Sequence, residues 1–584
     1  MHVFQKFHTF VGDIGDMGLS RLIINCIAEM DIVRNLRRET LLLVVLCLGA
    51  FFVNNSTLPT DVMEAKNIVT AREVVSENLW LTPTMNGESR IGKPPLAVWV
   101  SALVEKVYPD NLSAQRSVCG LMATIWALFF FGVARYLERR RGFAEIATYV
   151  FLTCYNVIYF GRQVNRDVYG YAFMMAGIYF LARLFYDERY YQRPHKWRWA
   201  LLAGLTIGLS ILGNGSVACY SMLLPFIIVV VWRKKPDMNG KWKPLATGAA
   251  VALVCFGWWY AYLLFSHHDA LAQALKNERD AWFSGHVRPW YYYWRFFVEM
   301  GIWAILTLAA LIVPYWNRRI STKRPYHMAV TWLFSALVLL SIMPQKNMTD
   351  LLALAPPCSL AVACLLFYYI ENRPKDKWAK GLFFFNGYVV TLIAFGVPVF
   401  VHIRMTNWDL IDVGTALFLY FFLTVIAIYI GSSTGRKYTI GIIRGVLALF
   451  FVIECFMLGA IGGLFGNSHN MSVGILQKSE EYGNLPMFHS AEEPIAIEVV
   501  YEANKSIKPI DFNDEKAVAK AAPCLLLTQK GLAEEMPARV LQLVDTTHVG
   551  IFDDNTLPRH HKHYSQDLVN RVTFIKLKED SISH

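Results

Sequence analysis

Two carboxylates open a helix-like stretch at Thr60-Asp61-Val-Met63-Glu64, and a lysine precedes paired prolines at Arg90-Ile-Gly-Lys93-Pro94-Pro95. A carboxylate can take a proton from an attacking hydroxyl, and a lysine stiffened by prolines at a membrane edge can hold a phosphate. Plainer readings compete: acids at a helix start favour the dipole by about 0.3–1 kcal/mol, and interfacial lysines snorkel. A second cluster, Gly161-Arg162-Gln-Val-Asn-Arg166-Asp167, puts two arginines and an acid in one short loop. It marks either a substrate path or an ion pair of Asp167 with Arg162 or Arg166. Met343-Pro-Gln-Lys346-Asn-Met-Thr-Asp350 repeats the pattern of a lysine beside a proline. Arg288-Pro-Trp-Tyr-Tyr292-Tyr-Trp-Arg295 reads first as a membrane-interface aromatic belt and second as a sugar-stacking surface.

The elements that must position these residues are apolar helices. With 55% hydrophobic and 17% charged residues in a 584-residue chain, there is too little polar surface to solvate a globule of this size. A bilayer span needs about 20 apolar residues, and the chain supplies about thirteen such stretches. They fall near 40–55, 113–136, 143–160, 168–186, 199–213, 216–232, 245–266, 293–315, 326–343, 349–370, 380–401, 411–431 and 439–466. With Arg34, Arg37 and Arg38 in the cytoplasm, alternation puts Arg139 to Arg141, Arg189 to Arg198, Arg233 to Lys243, Arg318 to Arg324, Arg373 to Lys380 and Arg436-Lys437 on that same side. The opposite, outer side receives the loop 56–112, the loop His267 to Tyr292, the Pro344 turn and everything after 466.

The formal charge of +11 is spread through these short clusters, which is a topology signal rather than a nucleic-acid face. Ten cysteines stand singly with no Cys-x-x-Cys pair, so neither a zinc site nor a disulfide framework is expected. Residues 1–39 are expected at the cytoplasmic surface as an interfacial segment, with Met30 an alternative start. Residues 40–466 read as the membrane domain and 467–584 as a small soluble α/β domain on the outer side. Its expected strands are Ile495 to Tyr501, Cys524 to Thr528, Val540 to Val544 and Val572 to Lys576. His560-His561-Lys562-His563 reads as an exposed basic loop rather than a metal site. Val62 to Val75 reads as a surface helix near the membrane.

Taken together, the acids at the head of a juxtamembrane helix, Ala71-Arg72-Glu73, Trp80-x-x-Pro83-x-x-x-Gly87, Lys93-Pro94-Pro95, the Arg/Asp loop and the Lys346 turn resemble one family. These motifs are similar to those of the GT-C glycosyltransferases related to the lipid A aminoarabinose transferase and the protein O-mannosyltransferases, over about residues 56–370. The resemblance implies a mostly α, polytopic fold with an outer C-terminal α/β domain. It implies transfer of a sugar from a polyprenyl-phosphate donor to a lipid or protein hydroxyl on the periplasmic side of the inner membrane. In that family an acidic pair opens the first outer loop, with its aspartate at the reacting centre. Aligned on Arg72-Glu73, the second acid falls on Glu64 and the aspartate's place is taken by Met63. Glu64 or Asp61 is then the expected general base.

The acid that precedes Lys-Pro-Pro in some members is Gly92 here, and the tyrosine that often follows the lysine turn is absent in Asp350-Leu-Leu-Ala. Lys93 and Lys346, with Arg162 or Arg166, are expected on the donor phosphate, Asp167 is expected to orient the centre, and Arg72, Arg288 and Tyr292 to contact substrate. One base and no covalent step imply inversion. No metal or further cofactor is required, because the lysines supply the positive charge. A polytopic transporter of a lipid-linked or small anionic substrate is the alternative. Transporters often place coupling charges near the midplane and show repeats, whereas these charges gather at one interface. A non-catalytic scaffold would leave the Lys-Pro-Pro loop unexplained.

Overall fold

The computed structural model describes residues 41–140, 142–186, 196–285, 287–372, 376–405, 413–460, 471–556, 559, 561, 562 and 564–578. The expectations for residues 1–39, Arg141, Arg189 to His195, Arg373, His560 and His563 lie outside them. The chain forms two compact units, Met1–Leu48 and Gly49–His584. The described part of the first, 41–48, is helical.

Among the described residues eight helices are long and apolar enough to cross a bilayer: Leu112–Leu137, Arg166–Phe185, Trp242–Ser266, Lys323–Ile342, Met348–Glu371, Lys377–Phe400, Val413–Gly435 and Thr439–Ala460. Phe143–Leu152 and Tyr155–Gly161 make a ninth if taken as one span bent by 62°. The bend falls where the Thr153 hydroxyl donates back to the Tyr149 carbonyl at 2.7 Å and accepts the Trp303 indole at 2.7 Å, pulling the chain off the helical path. Of the other expected spans, Cys219–Arg233 and Gly301–Ala310 are shorter apolar helices, and 199–213 falls in the helix Lys196–Asn214.

The apolar stretch of Met348–Glu371 is buried, with Met348 and Glu371 exposed at its ends. Its small residues, Ala353, Ala355, Ser359, Ala361 and Ala363, let neighbours approach closely. The tightest approach lies elsewhere: a Cβ on Gly204 would stand 2.0 Å from the Gly248 carbonyl oxygen, so Lys196–Asn214 and Trp242–Ser266 meet backbone to backbone.

The basic clusters gather at one end of the bundle. Arg140 donates to Glu371 at 2.9 Å and to the Ser321 hydroxyl at 2.8 Å, and Arg319 lies 3.8 Å from Asp376. The chemistry-bearing loops meet at the other end. Asn67 donates to the Val164 carbonyl at 2.9 Å, Trp259 to the Leu81 carbonyl at 3.1 Å, and Val287 bridges Gln345.

The first long loop carries helix α1, Val62–Ser76, a hairpin of β1, Thr84–Met85, and β2, Glu88–Ser89, and helix α2, Leu96–Val107. Asn86 and Gly87 turn the hairpin with φ of 53° and 81°, the left-handed pair that a two-residue turn demands. Helix α3, His268–Ser284, rises from the later loop and buries only Leu271.

The terminal region is a mixed sheet of β3, Met487–Ser490, β4, Ile507–Ile510, β5, Cys524–Thr528, β6, Val544–Asp553, and β7, Val569–Leu577, in the order β4-β3-β5-β7-β6. β3 runs parallel to β4 and β5, and β7 antiparallel to β5 and β6. Two expected strands are corrected. Ile497–Ala503 is a helix, because Val499, Val500 and Ala503 bury one helical face despite their strand-like residue types. Ala538–Leu541 is a helical turn leading into β6.

Helix α1 is also not a surface helix. Val69 joins the apolar core of the sheet with Val473, Met487, Val500 and Leu525, so the terminal region is built directly onto the first loop. Asn86 completes the joint: its side chain donates to the Ile507 carbonyl and accepts the Ile507 amide, both at 2.8 Å, occupying the edge of β4.

Candidate functional site

The start of α1 is fixed by a buried ion pair. Arg116, from helix Leu112–Leu137, donates to both oxygens of Glu64, at 2.8 and 2.6 Å, and to the carbonyls of Asn55 and Leu58, each at 2.8 Å. Glu64 also accepts the Val164 amide at 2.8 Å. Both side chains are about 1% exposed. In this structure its oxygens hold the loop 55–59 and the Val164 to Asp167 loop in place. Asp61 caps α1, accepting the Met63 amide at 3.4 Å, which is the capping reading. Met63, at the family aspartate's place, is exposed.

Arg162 makes a second buried ion pair. It is buried, pairs with Glu454 at 2.6 Å, and donates to the carbonyls of Ala50 at 2.7 Å and Asn54 at 3.0 Å, so its guanidinium braces backbone. Arg72 donates to the Tyr501 carbonyl at 2.8 Å, lies 3.2 Å from Asp110 and stacks 4.9 Å from the Tyr501 ring. It joins the first loop to the terminal sheet. Lys346 donates to the carbonyls of Ser341, at 3.1 Å, and Met343, neutralising the end of helix Lys323–Ile342. Arg288 and Tyr292 lie at the exposed margin, where the Arg288 amide donates to the Pro344 carbonyl at 3.4 Å.

What remains is a cationic cleft between α1, the hairpin, the head of α2 and the loop before helix Arg166–Tyr186. Asn67, Thr70, Pro83, Arg90, Lys93, Pro94, Ala97, Val98 and Arg166 line it. Arg90, not singled out from the sequence, donates to the Lys66 carbonyl and the Thr70 hydroxyl, both at 2.6 Å, and to Asn67 at 3.1 Å. Burial, and then the charge of Arg166, lower its pKa to about 10. The same two causes lower that of Lys93, against the opposing pull of Glu278, which sits 2.7 Å from its ammonium. Arg166 keeps its buried Nε without a hydrogen-bond partner.

Asp167 stands next to it in the first turn of Arg166–Tyr186, half-buried, and its carboxylate takes no hydrogen bond or ion pair among the described residues. Its charge is felt by Asp350, a buried carboxylate that accepts Tyr293 at 2.5 Å. Three cations thus line one cleft, and Asp167 follows Arg166 in sequence without being part of the lining; cations of this kind suit an anion, and a carboxylate without a partner suits proton removal. Arg90 and Glu278 were the residues missed. Arg90 carried a signal, three positions before Lys93, whereas Glu278 is 185 positions away from its partner.

The solved structures decide the fold. ArnT from Cupriavidus metallidurans bound to undecaprenyl phosphate superposes with a TM-score of 0.59 at 16% identity, over 91% of this chain and 97% of that one. Its apo state gives 0.58 over 94% and 98%. The chain has the ArnT fold. The family model for dolichyl-phosphate-mannose-protein mannosyltransferases matches residues 92–260. Undecaprenyl phosphate-alpha-4-amino-4-deoxy-L-arabinose arabinosyl transferases are similar in sequence: that of Aeromonas salmonicida is 25% identical over 54% of this chain and 58% of its own length, and that of Pseudomonas aeruginosa 24% over 58% and 60%. The chain thus spans about three fifths of the length of these relatives. The resemblance read from the motifs, to the aminoarabinose and protein mannosyl transferases, is met by the relatives of the first kind and the family model of the second, and the fold is that of ArnT.

Proposed function

We propose that this chain transfers a sugar from a polyprenyl-phosphate carrier to a hydroxyl of a lipid, lipid A-like, or protein acceptor at the outer face of the inner membrane. The cleft of Arg90, Lys93 and Arg166 beside Asp167 carries the reading, because it offers cations for a phosphate and a free base within one loop cluster. ArnT solved with undecaprenyl phosphate supports the donor class by its shared fold. The thirteen-span topology, with the terminal sheet in the periplasm, completes the proposal.

In this mechanism Lys93 and Arg166 hold the donor phosphodiester, and Arg90 strengthens the field from behind. Asp167 takes the proton of the acceptor hydroxyl, whose oxygen bonds to the anomeric carbon as the bond from that carbon to the phosphate oxygen breaks. The polyprenyl phosphate leaves with the bonding pair, its growing charge met by the two cations. A single displacement inverts the anomeric centre. Glu64 and Arg116 position the loop that carries Asp167.

Mass spectrometry of carrier lipids and envelope glycans in cells expressing wild type or K93A tests this. A charged carrier should accumulate in K93A while one lipid or protein loses the matching sugar mass. Unchanged pools at normal protein level would contradict it.

A further inference from the structure

We infer that Glu278 sets the charge preference of the phosphate site, admitting a polyprenyl phosphodiester of one negative charge and disfavouring the phosphomonoester that transfer leaves behind. The inference rests on the proposed transfer reaction and extends it to product release.

Glu278 reaches Lys93, one of the residues lining the cleft, from α3, an element remote in sequence from that lining. Its Oε1 lies 2.7 Å from Lys93 Nζ. The helix packs over residue 92: a Cβ on Gly92 would meet the Cβ of Ala274 at 3.5 Å and Glu278 Oε2 at 3.9 Å, both ordinary contact distances. The pair is not a buried structural one, since the two side chains are 41% and 31% exposed and α3 buries only Leu271. An exposed pair of this kind opens at little cost.

The cations are not equivalent. Arg90 is engaged by Lys66, Thr70 and Asn67, whereas Arg166 Nε has no partner and Lys93 has Glu278 alone among the described residues. Glu278 holds the Lys93 ammonium at 2.7 Å, so a phosphate that binds Lys93 competes with that carboxylate for it. Displaced but tethered to α3, the carboxylate stays close to the bound phosphate. Its repulsion grows in proportion to the ligand's charge. A phosphodiester carries one charge, while a phosphomonoester carries about 1.5 to 2 near neutral pH. Cleavage of the sugar–phosphate bond therefore raises the repulsion at the moment when the product must leave, and Glu278 returns to Lys93 as it does.

Binding of decaprenyl phosphate and of its monomethyl ester to the detergent-solubilised full chain, measured by calorimetry for wild type, E278Q and D280N, tests the inference. E278Q should tighten the monoester about tenfold while changing the methyl ester less than about threefold, and D280N on the same helix should leave the ratio of the two affinities as in wild type. An unchanged ratio in E278Q, or an equal shift in D280N, overturns the inference while leaving the transfer reading intact. Wild type binding neither lipid overturns both.

Discussion

Arg116 closes on both oxygens of Glu64 in the buried core beneath the first loop, at 2.8 and 2.6 Å, and the same carboxylate takes the Val164 amide three residues before Asp167. Removing one partner of such a pair strands the other charge, at a cost of about 3–5 kcal/mol. E64Q and R116A should therefore lower the thermal unfolding temperature and the transfer rate together, as followed by scanning fluorimetry beside a turnover assay. An E64Q protein of wild-type stability with no turnover would return Glu64 to the role of base.

Lys93 and Arg166 are the two cations with capacity left for a ligand. K93A and R166A should each weaken polyprenyl phosphate binding about tenfold or more, the range expected for losing one charged hydrogen bond. R162A should instead reduce yield of folded protein, since Glu454 would be left buried without its 2.6 Å partner. Equilibrium binding beside size-exclusion profiles separates the two effects.

The elements most legible in the sequence were those with long periodic or apolar runs and local motifs. Asp61 and the apolar spacing announced α1, and Lys93-Pro94-Pro95 and Arg166-Asp167 announced two walls of the cleft, because each signal lies within one short segment. The remaining features depend on partners far along the chain. Glu64 looked like a base because its types and spacing say nothing of Arg116, 52 positions on. The partners of Arg162 and Arg72, Glu454 and Tyr501, are likewise brought in by folding and leave no local signal. The β-branched run 497–500 looked like a strand because its burial on one helical face is set by α1 and the sheet.

Arg72 ties α1 to the terminal sheet through the Tyr501 carbonyl, the Tyr501 ring and Asp110. R72A should weaken that joint by on the order of 1–2 kcal/mol. Faster amide exchange at Ile507 and across the 84–89 hairpin, with the helices of the bundle unaffected, is the expected signature in hydrogen-exchange mass spectrometry. Unchanged protection there would show that apolar packing at Val69 suffices.

Asp554, just after β6, has its carboxyl pushed up to about 7, chiefly by burial. One oxygen accepts the Val473 amide at 3.2 Å and the other is buried with no partner. The folded state binds this proton more tightly than the unfolded chain, whose carboxyl titrates near about 3.9. The contribution to stability is thus full below about pH 4 and is lost as pH rises to 7. Opening free energies of β6 and β7, from exchange rates corrected for intrinsic pH dependence, should fall between pH 5 and 8 in wild type and less so in D554N. Parallel curves for the two proteins would contradict this assignment.

In the proposed mechanism Asp167 activates an acceptor while the Arg90, Lys93 and Arg166 cleft holds a polyprenyl phosphate. The most direct measurement of this is single-turnover transfer by the purified full chain, loaded with a polyprenyl-phosphate sugar and offered membrane-lipid and protein acceptors, for wild type and D167N. Wild type should release one polyprenyl phosphate for each sugar transferred, and D167N should bind the donor normally yet react at least about a hundredfold more slowly. Transfer by D167N at the wild-type rate would contradict the account.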